Sequence, residues 1–195
     1  MSEILRVSTV TGQVPDEFRY NGEVYSLVGI NGEGLFTPAD FGMTTRMAST
    51  ACWRGYQMFY DCVGGQLILD GMLANPNEAK PVNGIEPREP EDSFMFPYVY
   101  ENLKLKSKFT GKILLGKDFI DEMYVHMGFQ SAESFRMVIE LEVKDGDIIN
   151  ETNLSRTMAE RRKSGLSKPA QPSTKNDNDV MDWIEDRFSQ DYDPD

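Results

Sequence analysis

The chain has 195 residues, 39% hydrophobic and 27% charged, a composition that fits one well-buried domain with appendages and argues against disorder throughout. A formal net charge of −12 argues against direct binding to nucleic acid or anionic membrane, which recruit clustered Lys and Arg, and favours basic partners. The opening MSEILRVSTV has no apolar run of signal-peptide length, and nowhere do about 18 apolar residues follow one another, so a cytoplasmic protein with no membrane segment is expected.

The first predicted element is a hairpin. Glu17 to Tyr20 and Glu23 to Ile30 flank Asn21-Gly22, and a type I′ turn requires positive φ at both central positions. Residues 31–48, with Gly32, Gly34, Pro38 and Gly42, read as an irregular connection. Residues 52–62 then read as a long strand returning through Val63-Gly64-Gly65 into Gln66 to Leu69. On a regular strand Cys52, Arg54, Tyr56, Met58, Tyr60 and Cys62 share one face, opposite Trp53, Gly55, Gln57, Phe59 and Asp61. Arg54, if buried there, needs carboxylates or carbonyls, and Gly55 marks a bulge or a close approach.

Cys52 and Cys62 would lie roughly 33 Å apart on such a strand, whereas bridged Cα atoms lie within about 7 Å, so free thiols are expected. With a single histidine, the two cysteines make no ordinary four-ligand zinc site. No metal or other cofactor is expected.

Asn75 to Pro97 holds five prolines and reads as a surface loop. Tyr98 to Lys106 follows, with Leu103 and Leu105 on one face, and then the short apolar run Phe109 to Leu115. A third hairpin joins Phe135–Val143 to Asp147–Ile149 through Asp145-Gly146. Phe135, Met137, Ile139, Leu141 and Val143 face inward in that pattern, leaving Arg136, Glu140, Glu142 and Lys144 wet. Its layout repeats that of the second hairpin about 82 positions earlier, which suggests a duplication.

The expected fold is therefore mainly β, an antiparallel hairpin-built sheet or barrel-like sandwich over residues 1–150. A short helix over 151–165 follows, with a cap at Asn153 to Ser155 and a stop at Gly165. Residues 166–178 read as a flexible linker, and residues 179–195 as an acidic tail. Val180, Trp183, Ile184 and Phe188 lie on one side of an amphipathic helix in that tail. Residues 166–195 carry three bases against eight acids.

Two sets of candidate binding residues emerge. Arg54, Tyr56, Tyr124 and His126 could surround an aromatic-lined cleft for a small anionic ligand, since a guanidinium forks onto carboxylate or phosphate. Hydrolysis there would further need His126 to meet a nucleophile or carboxylate, and no spacing selects one. A lone histidine among Tyr124, Met127 and Phe129 also fits a hydrogen-bonded core residue. Gly29 to Gly34 lacks the Lys-Ser/Thr and following helix of a phosphate loop. The second set is Val180, Trp183, Ile184 and Phe188, which suit a helix laid into a groove of its own domain or of another molecule. The leading expectation is a non-enzymatic interaction module, of immunity or inhibitor type, for a protein partner with a basic or grooved surface. The alternative is the Arg54–His126 ligand-binding protein or hydrolase.

Three stretches also carry a resemblance. Ser49-Thr-Ala-Cys-Trp-Arg-Gly-Tyr56 with the following Gly65-Gln-Leu-Ile-Leu69, Phe109-Thr-Gly-Lys-Ile-Leu-Leu115 and Tyr124-Val-His-Met-Gly-Phe129 resemble a family of small uncharacterised bacterial β-rich proteins. The resemblance spans roughly residues 17–150 and implies a β-rich domain and no established activity.

Overall fold

The computed structural model describes residues 12–91, 95–165, 171–174 and 176–192. Its strands are β1 (Glu17–Tyr20), β2 (Glu23–Glu33), β3 (Tyr56–Val63), β4 (Gln66–Ala74), β5 (Tyr98–Lys106), β6 (Thr110–Phe119), β7 (Phe135–Lys144) and β8 (Asp147–Asn153). Two helices follow, α1 (Ser155–Ser164) and α2 (Asp177–Phe188). Asn21 and Gly22 take φ of +50° and +79°, the left-handed backbone that the first turn demands.

The strands close in the order β3-β1-β2-β6-β7-β8-β4 and back to β3, giving a seven-stranded barrel with β5 added along β4. Neighbours run antiparallel except β1 and β3, which are parallel. Closure rests on one short seam, where Gln66 of β4 faces Asp147 of β8. The Leu67 amide donates to Gly146 O (2.8 Å) and the Ile148 amide to Gly65 O (2.7 Å), a local two-fold in which the two glycine turns meet. Beyond the seam the same edge of β4 takes up β5 from Ile68 onward.

The barrel interior is a packed core. Phe18 stacks on Tyr60 at 4.7 Å between centroids, and Leu27, Met58, Leu69, Tyr100, Phe109 and Leu141 are all buried around them. Each such side chain contributes about 1.5–3 kcal/mol on leaving water. A second cluster lies outside the wall, where Leu114, Phe135, Val138 and Ala132 meet Met158 of α1.

Several expectations need correction. The second hairpin's first strand starts at Tyr56 rather than Cys52, because residues 49–55 form a compact turn closed by the Cys52 amide on Ser49 O (3.0 Å). Arg54 and Gly55 therefore belong to a turn, and no continuous Cys-Arg-Tyr-Met-Tyr-Cys face exists. In β5, Asn102 and Lys104 adopt φ of +60° and +51°, which breaks strict alternation and turns Tyr100 and Leu103 inward together. β8 runs on to Asn153, and β2 to Glu33. The outer face of β7 is not all wet, since Val138 and Glu140 are buried beneath α1 and the chain's C-terminal segment.

Gly165 caps α1 with a left-handed φ of +69°, as expected. Within the linker expected over 166–178, residues 166–170 and 175 lie outside the described residues, and α2 already begins at Asp177, with the Asn176 side chain accepting from the Asp179 amide (2.9 Å). Residues 193–195 of the expected tail are likewise outside them. Among the described residues no helix is long and apolar enough to cross a membrane.

Gly146 has φ of +78°, and a Cβ there would collide with the Ser107 carbonyl. Gly146→Ala is expected to cost roughly 3 kcal/mol or more, read as a lowered urea midpoint, because it combines backbone strain with a clash at the seam. Gly64→Ala, with φ of +59° and open space around it, should cost only about 1–2 kcal/mol.

Candidate functional site

Asp16, immediately before β1, is 5% exposed and anchors one flank of the barrel. Its carboxylate accepts Arg54 Nη2 at 2.6 Å, Arg54 Nη1 at 3.0 Å and the Met58 amide at 2.6 Å. Its backbone oxygen accepts the Leu27 amide at 2.8 Å. One buried residue thus ties the chain before β1 to β2, to the start of β3 and to the 49–55 turn. Burial works against the Arg54 cation, and the Asp16 carboxylate more than offsets it, so the guanidinium holds its proton more firmly than in water. The guanidinium also lies 4.6 Å from the Tyr56 ring centroid and 5.8 Å from that of Phe129.

Gly55 is what lets the turn close. Its φ is +76°, and a Cβ would strike the Arg46 carbonyl. Gln13, 6% exposed, holds the other side: its amide nitrogen bonds Thr50 O (2.9 Å) and its amide oxygen accepts from Trp53 N (2.9 Å). The Gln13 backbone N–H in turn donates to Gly128 O (2.8 Å), which draws the 124–130 loop to the same flank.

The C-terminal segment closes this surface. Phe188 stacks on Trp53 at 4.5 Å. Arg187, 2% exposed, offers its carbonyl to the Phe129 amide (2.7 Å), directly against Gly128, where φ is +76° and a Cβ would collide with that carbonyl. Residues 190–192 then run parallel to β2 where β1 no longer covers its edge. Ile30 N donates to Gln190 O (2.7 Å), Tyr192 N to Ile30 O (3.1 Å) and Gln190 Nε2 to Leu27 O (2.7 Å). The Tyr192 ring lies over Gly29, where a Cβ would come within 2.8 Å of it, and its hydroxyl donates to buried Glu140 (2.8 Å). Burial and then the Glu140 carboxylate raise the Tyr192 phenol far above its usual range, so it stays a donor.

Between the turn and this segment lies a cavity of about 390 Å³, lined by Trp53, Arg54, Tyr56, Phe129, Phe188 and Gln190 among others. Arg54 Nε has no hydrogen-bond partner among the described residues. Of the first sequence-predicted set, Arg54 and Tyr56 share this cavity. Tyr124 lines a neighbouring one, its hydroxyl accepting from the Gly12 amide (3.0 Å). His126 is exposed, edge-on to Tyr124 at 5.2 Å, and lines neither. The four residues do not form one cleft, and the cation of Arg54 is already engaged by Asp16.

Of the second set, Phe188 is seated on the barrel, whereas Val180, Trp183 and Ile184 lie half-buried on α2, with the Arg187 guanidinium 5.9 Å from the Trp183 ring centroid. Cys52 and Cys62 are free, and burial raises both thiols, Cys62 to about 12. Neither is poised as a nucleophile at neutral pH. Sequence reasoning missed Asp16, Gly29, Gly128, Gln190 and Tyr192. The only signals for them were a glycine inside the otherwise apolar run of β2 and a polar-aromatic stretch after α2.

No known protein family, curated protein or solved structure matches the chain.

Arg54→Ala leaves Asp16 buried without its cation and is expected to lower stability by about 3 kcal/mol in urea unfolding. Gly128→Ala should detach the C-terminal segment while leaving the barrel folded. Hydrogen exchange would then show the Ile30, Phe129 and Tyr192 amides losing protection while the β6 and β7 amides keep theirs.

Proposed function

We propose that the chain is a non-enzymatic protein-interaction module whose groove along β2 accepts an extended peptide by strand addition, the chain's own residues 187–192 being the resting occupant. The observation that carries this reading is the mode of that occupancy. Backbone bonds to Ile30 supply the generic grip, and separate places for Phe188, Gln190 and Tyr192 supply side-chain selection, the two ingredients of β-strand recognition.

The acidic helix fits the same role. Asp177, Asp182, Glu185 and Asp186 are exposed on α2, which is anchored to the barrel through the residues at its C-terminal end. A basic partner surface is the complement to that charge. In this reading the tail is both a plug for the groove and the face offered to the partner, and engaging the helix would free the groove.

The test uses the full chain carrying Phe188→Ala and Tyr192→Ala, and a labelled synthetic peptide of residues 184–192. The released variant is expected to bind the peptide at least about tenfold more tightly than the wild type, whose tethered segment competes at high effective concentration. A variant that melts as a folded barrel yet shows no gain in peptide binding over the wild type would overturn the reading.

A further inference from the structure

A second cavity of about 390 Å³ lies on the same flank, beside the groove, within the range of about 300–1,000 Å³ usual for small-molecule sites. Its walls are mostly apolar and carry four aromatic rings, Phe119, Tyr124, Phe129 and Phe135. Three of them form a continuous edge-to-face set, Phe119 meeting Tyr124 at 6.4 Å and 76° and Phe135 at 5.3 Å and 67°. Aromatic faces present negative potential, and rings set at steep angles direct faces and edges into one space.

Among the described residues one carboxylate enters this lining, that of Glu17 on β1, and no Lys, Arg or His lines the cavity. The Gln57 amide, itself 7% exposed, donates to Pro15 O (2.9 Å) and to Glu17 Oε1 (3.3 Å), which fixes the carboxylate in place. Burial, the largest influence, raises the Glu17 carboxyl above its usual range. The Gln57 bond works against that rise, the nearby Asp16 charge adds to it, and Arg19 offsets part of it. A desolvated carboxylate gains from a cation that desolvates with it.

We infer that this cavity binds a small organic cation, an amine or quaternary ammonium on an apolar or aromatic body, with the charge held by Glu17 and the body enclosed by Phe119, Tyr124 and Phe135. The site is built from the barrel and its loops, and none of the described residues of the C-terminal segment lines it. It stands apart from the peptide-groove reading.

The test is calorimetric titration of the full-length chain with phenethylamine, its trimethylammonium analogue, the neutral isostere propylbenzene and the anion phenylacetate. Both cations should bind at least about tenfold more tightly than the neutral compound, and the anion should not bind. Glu17→Gln keeps the shape and the Gln57 contact, so it should bind cation and neutral compound alike. Ala51→Leu, which narrows the cavity, should weaken all of them, and Phe188→Ala should change none. Equal binding of cation and neutral compound by the wild type, unchanged selectivity in Glu17→Gln, or no binding of either cation at millimolar concentration would overturn the proposal.

Discussion

The Asp16 carboxylate organises this molecule at the place where its topology is most demanding. β1 is only four residues long, yet it must pair antiparallel with β2 on one side and parallel with β3 on the other. A parallel neighbour needs a long crossover, here the whole segment from β2 to Tyr56, and such a connection is costly in chain entropy. Asp16 fixes both ends of it. Its side chain holds Arg54 and the Met58 amide, and its main chain holds Leu27. A buried ion pair contributes little net stability compared with an apolar substitute, but losing one partner is severe, so its effect is to specify the arrangement.

That arrangement sets what the flank can do. With the turn at 49–55 held against the lead-in at Gln13 and Asp16, Trp53 projects outward, half-exposed, where Phe188 can lie on it. Because β1 starts only at Glu17, the edge of β2 beyond Leu27 has open backbone groups. The C-terminal segment satisfies those of Leu27 and Ile30. The helix α2, with five acids among its twelve residues, would be marginal alone, and its attachment through Arg187, Phe188, Gln190 and Tyr192 supplies order from one end.

The barrel was largely legible in the sequence, because hairpins are local. Asn21-Gly22, Gly64-Gly65 and Asp145-Gly146 each announce a turn through the backbone they require, and alternating apolar residues in β7 identify the inward face from Met137 to Val143, whereas Phe135, expected on the same face, packs with Val138 outside the wall. The sequence pattern did not carry features that depend on long-range meetings. Arg54 reads as a residue of a strand because aromatics surround it, yet Gly55 marks a turn whose partner, the Arg46 carbonyl, no local rule identifies. Glu140 looks solvent-facing by alternation and is buried, with Tyr192, 52 positions away, and Lys112 both reaching its carboxylate. Gly29 and Gly128 are small because other backbone and rings approach them, and a glycine does not name what approaches. The tail's helical face was legible from spacing alone. Its dock was not, since apart from Phe188 the contacts come from the Arg187 carbonyl and from the extended residues after the helix, Gln190 and Tyr192.

Phe129 joins the features of this flank. Its amide holds the Arg187 carbonyl, its ring faces the Arg54 guanidinium, and it lines both the cavity beside Arg54 and the aromatic one beside Glu17. Its backbone is fixed at the Arg187 carbonyl while its ring forms part of the wall of both cavities, so the placement of the 124–130 loop shapes both. The 124–130 loop is placed from two sides, by the Gln13–Gly128 bond from the lead-in to β1 and by the mutual Val125–Gln130 bonds (3.0 and 2.8 Å) from within the loop itself. A surface placed in this way meets its ordering cost in folding, and preorganisation of that kind is what lowers the cost of any later association.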